Sequence, residues 1–362
     1  MRSKPTLPSE AALLELIATR FATRRRDVRI GVGDDAAVVR LGGDAVLTTD
    51  TLVEDVDFRA TSDPHALGRK ALAASLSDLA AMGAAPAFAL LTLGLPRATP
   101  PAFLEGILDG FGEIAAEYQV AIVGGDLTSS ATAFLSVTAV GRPAGLRVLT
   151  RSGASAGDVL FVSGTLGAAA GGLALLEAGY RVSSSGTLTN PAGRRLVAPP
   201  AADLVRLIRH QTSPRPMVEL GQALAEGDTA PVASAAMDLS DGLARDLHRL
   251  CRASGCGAAV DLARLPVDST LEELPAGIAL EPRAAALFGG EDFGLLFTVP
   301  KKRLAAVERL AARFALRAIG EMTPGSSVVV RGGARTEPLP DAGFDHFESG
   351  EPDPAARTRK PR

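Results

Sequence analysis

Several features are scarce in this chain, and each absence excludes a class of protein. The 362 residues contain no tryptophan and only two cysteines, Cys251 and Cys256, which are too few for a disulfide framework. No stretch of about 20 residues is free of charges and turn signals, so no membrane span is expected. Basic residues cluster only at 24–26 and at the C-terminus, and the net charge is −3, so no nucleic-acid surface is indicated. The first residues lack the apolar core of a signal peptide, and we expect a cytoplasmic protein.

The length and composition of the chain are those of a globular protein with more than one domain. A chain of 362 residues is long for a single hydrophobic core. A Gly- and Arg-rich stretch near 143–158 is typical of a boundary. We therefore predict an N-terminal domain over 1–148 and a C-terminal domain over 149–347. The charged, Pro-rich segment 348–362 is predicted to be a disordered tail.

Apolar periodicity predicts an α/β (α+β) fold. Helical spacing covers 9–21, 64–83 and 101–118, and strand patterns cover 88–96, 120–126 and 134–143. This alternation predicts an N-terminal mixed sheet with helices on one face. The second half repeats strand and helix signals from residue 158 onward, which predicts a C-terminal α/β domain. The polar segment 181–195 is predicted to be a loop or insertion.

Six short acidic motifs are the most informative feature that is present. Each places one or two carboxylates beside glycine or at the end of an apolar run: GVGDDAAVV (31–39), LTTDTLVEDVDF (47–58), LSDLAAMGA (76–84), VGGDLTSS (123–130), MDLSDGLARDL (237–247) and GGEDFGLLF (289–297). A carboxylate in such a setting is costly to bury unless it meets a cation or several donors. Taken singly, none of the motifs is decisive, because a turn, a helix cap or a solvated helix face is an alternative explanation. Together they favour a shared Mg²⁺ site for nucleotide phosphates.

The familiar alternatives for nucleotide chemistry are missing. There is no G-x₄-G-K-[S/T] loop, and no G-x-G-x-x-G lies between a strand and a helix. None of the four histidines falls within an acidic motif, so chemistry that needs a histidine base is disfavoured. A reaction whose acceptor is already an anion needs mainly metal ions and positioning.

In this order and spacing, the motifs resemble those of the thiamine-monophosphate kinases, which belong to the superfamily of aminoimidazole-ribonucleotide synthetase-like enzymes. The resemblance rests on GVGDDAAVV, TTDTLVE, KALAASLSDLAAMGA, VGGD, LTRSGASAGD, MDLSDGL and GGEDF and runs from about residue 9 to about 347. It implies the two-domain fold of that superfamily and a homodimer. It also implies direct in-line transfer of a phosphoryl group from ATP to thiamine monophosphate, giving thiamine diphosphate, with several Mg²⁺ ions.

The resemblance also implies roles for particular positions. The expected Mg²⁺ ligands are Asp35, Thr48, Thr49, Asp50, Asp78, Asp126, Asp238 and Asp241. The expected ATP contacts are Gly125, Asp126, Arg151 and Ser240. The organic part of the substrate is expected to meet Asp57, Glu291 and Phe344.

Two of these positions depart from the usual family pattern. Asp57 stands where a histidine is common, and Phe344 stands where tyrosine or tryptophan is common. Two alternative functions therefore stay open. One is another ATP-dependent synthetase of the same superfamily, and the other is a non-catalytic nucleotide-binding regulator.

Overall fold

The structure is a computed structural model that describes residues 10–32, 36–183, 185–196, 201–227 and 230–345. The predicted ligand Asp35 and the predicted tail 348–362 lie outside these residues. Within them the α-helices are α1 (Glu10–Arg20), α2 (Pro64–Ala81), α3 (Pro101–Glu117), α4 (Ala168–Glu177), α5 (Ala201–Thr212), α6 (Val218–Ala225), α7 (Leu243–Ser254), α8 (Pro282–Phe288) and α9 (Leu304–Ala311). Three short 3₁₀ helices cover Leu262–Arg264, Ser269–Glu273 and Lys301–Arg303.

The N-terminal half is built on a four-stranded mixed sheet. Its strands are β3 (Val46–Val53), β4 (Ala84–Leu95), β5 (Ala121–Ser129) and β6 (Phe134–Pro143), in the order β3-β6-β4-β5. Only β4 and β5 run parallel, and the other pairs are antiparallel. Two shorter strands, β1 (Val28–Ile30) and β2 (Val38–Val39), form a separate hairpin pair. The predicted mixed sheet is confirmed.

The C-terminal half is built on a seven-stranded sheet. Its members are β7 (Val159–Ser163), β11 (Ala235–Asp238), β12 (Gly257–Asp261), β13 (Leu295–Val299), β14 (Leu316–Thr323), β15 (Val328–Gly332) and β16 (Arg335–Pro338). The order is β11-β13-β7-β14-β12-β15-β16. Strand β11 therefore lies at one edge, and its last residue, Asp238, is the first residue of the DLSDGL motif.

Helix α2 joins the two sheets and explains how distant motifs meet. Asp63 caps its start by accepting a hydrogen bond from the His65 N–H at 3.0 Å, and Gly83, with φ of 65°, follows its end. Most of its side chains are buried, because it packs on α3, on β3 and β6 of the N-terminal sheet, and on α6 and β11. One apolar core consequently runs from Leu135 and Val137 of β6 to Phe161 and Phe297 of the C-terminal sheet. The predicted division at 148/149 stays a prediction.

Two segments differ from the expectations. The polar segment 181–195 is not a simple loop, because β8 (Arg181–Val182), β9 (Leu188–Thr189) and β10 (Arg195–Leu196) form a small antiparallel sheet. Leu188 anchors this sheet in a core with Leu204, Leu207 and Ile208. Leu204, Leu207 and Ile208 belong to α5, a helix that we did not predict from the sequence.

Candidate functional site

The centre of the site is a meeting of β3 and α2. Along β3 the side chains alternate, so Thr48, Asp50 and Leu52 point toward the helices while Thr49 and Thr51 point to the open face. Thr48 donates a hydrogen bond from its hydroxyl to Oδ2 of Asp78 on α2. The structure therefore brings Thr48 and Asp78 together, although they are 30 residues apart in sequence, and Asp50 lies near enough for Asp78 to raise its pKa.

A third acid reaches the same place from the C-terminal sheet. Asp238 is only 3 % exposed, and its Oδ2 accepts a hydrogen bond of 2.8 Å from the hydroxyl of Ser77. Ser77 precedes Asp78 on α2, so two neighbouring positions of this helix contact β11 and β3, which belong to different halves of the chain. We call Asp50, Asp78 and Asp238 the acid cluster.

The electrostatics of the acid cluster are unfavourable in the absence of a cation. Burial raises the pKa of Asp50 to about 6, and the neighbouring Asp78 carboxylate adds to this shift. Burial likewise raises the pKa of Asp238, with further contributions from Asp78, Asp246 and Asp50, while the Ser77 hydrogen bond opposes them. Desolvation and like-charge repulsion are the two effects that disfavour a carboxylate anion, and both act here.

The residues present fit a divalent cation. Oδ2 of Asp50 is enclosed and has no hydrogen-bond partner, which leaves a buried acceptor without a donor. Within the described ranges no three His, Cys, Asp or Glu side chains already converge as a complete metal site. Mg²⁺ does not require such a set, because it commonly takes one or two carboxylates and completes its shell with water and phosphate oxygens. The acid cluster supplies hard oxygen donors with excess negative charge, which are the ligands that Mg²⁺ prefers.

Two expected ligands do not reach the acid cluster. Thr49 lies on the open face, where its hydroxyl donates to the Val137 carbonyl at 3.1 Å. Asp126 is exposed on β5, the far edge of the four-stranded sheet, in register with Thr92 of β4. Asp50 is in register with Val137 on β6, then Leu91 on β4 and finally Gly125 on β5. Asp50 and Gly125 are therefore three strand spacings, or about 14 Å, apart. Alternation along β3 and the strand order β3-β6-β4-β5 cause this separation.

Gly125 itself has a clear structural requirement. Its φ is 157°, and a Cβ atom there would lie 1.8 Å from the Leu91 carbonyl oxygen. Any side chain would push β5 away from β4. The glycine therefore keeps the exposed end of β5 close to its neighbour, beside Asp126.

The DLSDGL loop is held by two residues that we did not identify from the sequence. Asp246 is fully buried on α7, and its Oδ2 accepts hydrogen bonds of 3.1 Å from the backbone N–H groups of Ser240 and Asp241. Arg249 contacts Oδ1 of Asp246 at 3.0 Å and also pairs with the Asp241 carboxylate. The i, i+3 spacing of Asp246 and Arg249 on a helix was the only available signal.

The GGEDF motif supplies two carboxylates with different surroundings. Asp292 is buried and caps α4, with its oxygens accepting from the N–H groups of Gly167 at 2.6 Å and Ala169 at 3.0 Å. This is a structural role. Glu291 instead pairs with the Lys70 ammonium at 2.7 Å and keeps part of its side chain exposed. Its backbone N–H donates to the Ser240 carbonyl at 2.8 Å, so the motif rests on the DLSDGL loop.

Three further predicted residues lie on segments next to the DLSDGL loop, β11 and β3. Phe344 is 43 % exposed, and its N–H donates to the Asp241 carbonyl at 3.0 Å, so an accessible aromatic ring adjoins the DLSDGL loop. Arg151 is exposed, and the preceding Thr150 carbonyl accepts from Ala236 of β11. Asp57 is half-buried and closes the turn after β3, because its Oδ2 accepts a hydrogen bond of 2.8 Å from the Val53 N–H.

Comparison with known proteins places this arrangement in a family. The model for AIR synthase related protein, N-terminal domain, matches residues 33–142, and the model for the C-terminal domain matches residues 155–333. The thiamine-monophosphate kinase of Escherichia coli K12 is 37 % identical over 347 residues, which cover 93 % of this chain and 98 % of the relative. The chain belongs to the thiamine-monophosphate kinase family. The family member of Synechococcus elongatus is 36 % identical and covers 87 % of this chain and 91 % of its own.

Solved structures of this family have the same fold. The thiamine-monophosphate kinase of Stenotrophomonas maltophilia K279a has a TM-score of 0.75 at 37 % identity, with 90 % of this chain and 98 % of that chain covered. AaThiL complexed with AMPPCP and TMP has a TM-score of 0.71 at 30 % identity, with 93 % and 97 % covered. The hydrogenase maturation protein HypE in complex with ATP has a TM-score of 0.72 but only 18 % identity, so it shows the fold alone. In the described part of the chain, no helix is long and apolar enough to cross a membrane.

Proposed function

We propose that this protein transfers the γ-phosphoryl group of ATP to the phosphate of thiamine monophosphate and so forms thiamine diphosphate. The observation that carries the proposal is the acid cluster, in which β3, α2 and β11 place three carboxylates near enough for Asp78 to raise the pKa of Asp50 and of Asp238, and in which one Asp50 oxygen is buried without a partner. Family membership supports the same reaction, since the relatives are named for it and one solved structure holds both AMPPCP and TMP.

The main obstacle to this reaction is electrostatic. Both reactants are polyanions, and their mutual repulsion grows as water is excluded. Bound Mg²⁺ would neutralise the phosphate charge and align the transferring group. In this chain Asp50, Asp78 and Asp238 would hold it, with Thr48 fixing the carboxylate of Asp78. Asp241 and Asp35 complete the proposed ligand set.

The acceptor needs no activation by a protein base. A phosphate monoester is already ionised near neutral pH, so its oxygen is a competent nucleophile for direct in-line transfer. This agrees with the lack of histidine in the acidic motifs. The proposed ATP contacts are Arg151, Gly125, Asp126 and the Ser240 region, and the organic part of the substrate would lie toward Glu291, Phe344 and Asp57.

We propose a homodimer that uses the exposed part of the four-stranded sheet, next to the part that β1 and β2 cover. This face exposes Leu47 at 64 % together with the hydroxyls of Thr49 and Thr51. A second copy packed there would remove the exposed leucine from water, and Thr49 and Asp126 on this face would then lie at or beside the interface. We place the reaction in the cytoplasm, where ATP and Mg²⁺ are available.

A panel of acceptors tests the function. Purified protein is incubated with Mg·ATP and thiamine, thiamine monophosphate, or unrelated monophosphates such as pyridoxal phosphate, and products are separated by ion-exchange chromatography. We expect thiamine diphosphate from thiamine monophosphate and no product from free thiamine. Of these two compounds, only thiamine monophosphate carries an ionised phosphate oxygen. ADP formation with a different acceptor, or ATP binding without any turnover, would refute the assignment.

A further inference from the structure

A buried lysine lies beneath the carboxylate that faces the proposed organic subsite. The side chain of Lys70 is only 5 % exposed, and its ammonium contacts Oε1 of Glu291 at 2.7 Å. The side chain of Glu291 is 30 % exposed. Lys70 is therefore buried, whereas the Glu291 carboxylate that it contacts is still partly accessible to a ligand.

The second oxygen of Glu291 is also held by a buried group. The amide nitrogen of Gln211, on α5, donates to Oε2 of Glu291, and Gln211 is 5 % exposed. The backbone of Glu291 has φ of 64°, a conformation that costs energy in a residue with a side chain. Two buried donors and a strained backbone thus fix the Glu291 carboxylate. A turn on the protein surface would not require these contacts.

Helix α2 ties this carboxylate to the acid cluster. Lys70 and Ser77 are seven residues apart, so they lie on the same face of α2 about 10 Å from one another. Ser77 contacts Asp238 of the acid cluster, and Lys70 contacts Glu291. One rigid helix consequently sets the spacing between the proposed phosphate end and the proposed organic end of the site.

We propose that Lys70, assisted by Gln211, is a positioning residue that orients Glu291 toward the cationic organic part of the substrate and so determines affinity for that part. This inference rests on the proposed function and adds the residues that make the carboxylate selective. Lys70 contacts one oxygen of Glu291 and Gln211 contacts the other, so the carboxylate is held in one orientation. Its partly exposed side keeps the capacity to accept a further contact. A substrate with a positive ring would share the carboxylate with Lys70 from the other side.

The test compares Lys70→Met with Lys70→Arg and with Arg69→Met. Arg69 is the neighbouring cation of α2, but it pairs with Glu113 and Glu117 of α3 and contacts Ser213, so it controls for loss of a cation from this helix. Steady-state kinetics give kcat and the KM values for thiamine monophosphate and ATP. Calorimetry with thiamine, which has the organic part and no phosphate, gives a binding constant that does not depend on turnover.

We expect Lys70→Met to raise the KM for thiamine monophosphate and the Kd for thiamine about tenfold, because Glu291 loses a buried donor that fixes its orientation and must then be ordered when the ligand binds. The KM for ATP and kcat should change less than threefold. Lys70→Arg should recover part of the affinity, and Arg69→Met should match the wild type. If Lys70→Met fails to fold, Gln211→Met, which keeps the ion pair, should raise the same two constants by a smaller factor.

Two results would overturn the inference. One is a Lys70→Met or Gln211→Met protein whose thiamine affinity equals that of Arg69→Met. The other is a loss confined to kcat, which would indicate a role in phosphoryl transfer. Wild-type protein that forms no thiamine diphosphate would refute the proposed function and this inference with it, whereas normal wild-type turnover with unchanged variants would refute the inference alone.

Discussion

The Ser77 hydroxyl donates a hydrogen bond of 2.8 Å to Oδ2 of Asp238, which lies 161 residues further along the chain. Both residues are almost fully buried, with exposures of 0 % for Ser77 and 3 % for Asp238. The bond connects α2, which packs on the N-terminal sheet, to β11 at the edge of the C-terminal sheet. It therefore fixes the position of one acid of the cluster relative to the other two.

Replacing Ser77 by alanine should destabilise the protein. The buried Asp238 oxygen would lose its donor, and an unsatisfied buried group costs about 1–3 kcal/mol of unfolding free energy. Urea denaturation without Mg²⁺ measures this loss. Thr51→Ala is the control, because Thr51 is exposed on the open face, and surface changes stay within about 0.5 kcal/mol. Equal unfolding free energies for the two variants would contradict this role for Ser77.

Asp246→Ala should disable the DLSDGL loop. The backbone N–H groups of Ser240 and Asp241 would lose their common acceptor, and hydrogen bonds to charged groups contribute about 1.5–3 kcal/mol each. We expect a fall in kcat/KM for ATP of at least about tenfold, since Asp241 and Ser240 would no longer be held in place. Arg252→Ala on the same helix removes only an exposed pair with Asp341 and should retain activity. Full activity of Asp246→Ala would show that the loop needs no such support.

Phe344→Ala should weaken binding of the organic substrate without affecting the fold. The ring is 43 % exposed beside the DLSDGL loop, so its removal leaves no cavity in the core. Stacking of aromatic rings is worth about 0.5–1.5 kcal/mol, which corresponds to a rise in KM for thiamine monophosphate of about two- to tenfold. Phe344→Trp should keep the affinity, because it preserves the aromatic face. An unchanged KM for the alanine variant would exclude stacking on Phe344.

Asp27 should stabilise the protein only above acidic pH. Its hydrogen bonds with the Arg25 guanidinium, the largest cause, and with Arg142 lower the pKa of this carboxyl to about 2. A lowered carboxyl pKa adds stability above the unfolded value near 4, and this contribution is lost as pH falls toward 2. Wild type should therefore be more stable than Asp27→Asn at pH 6, and the difference should shrink between pH 4 and pH 2. Urea titrations at several pH values measure it.

The control for this pH dependence is Asp44→Asn. Asp44 is exposed, so its replacement should leave the unfolding free energy nearly unchanged at every pH. A gap between wild type and Asp27→Asn that stays constant from pH 6 to pH 2 would show that the ion pairs with Arg25 and Arg142 are not its source.

Local patterns were sufficient to predict much of the fold. Pro64 at the start of α2 and Gly83 after its end delimit the helix, and the strand Phe134–Pro143 has the predicted bounds. These features depend on neighbours in sequence. Helix α5 was missed although its buried residues Leu204, Leu207 and Ile208 have the i, i+3, i+4 spacing of an amphipathic helix. Its packing against the small sheet that contains Leu188 is a tertiary contact, which the sequence does not show.

The site was predicted as a set of motifs but not as an arrangement. Thr48 and Thr49 are equivalent in the sequence, yet strand alternation sends them to opposite faces of the sheet. Asp126 falls at the far edge because β6 and β4 come between β5 and β3, and strand order is not encoded in a motif. Lys70 and Asp246 lie within quoted motifs but received no role there, and Gln211 lies outside them. Only the packing of α2, α5 and α7 reveals what these residues contact.

The measurement that tests the account most directly is formation of thiamine diphosphate by the wild type and by Asp50→Asn. Product is followed by ³¹P NMR with saturating Mg·ATP and thiamine monophosphate, and unfolding of each protein is measured without Mg²⁺. Because Asp50 carries a buried, unpartnered oxygen beside another carboxylate, the substitution removes a repulsive charge as well as a proposed ligand. We predict that Asp50→Asn is folded and at least as stable as the wild type, yet at least about a hundredfold slower. Comparable rates for the two proteins would contradict the central claim that the acid cluster binds the cation used in phosphoryl transfer.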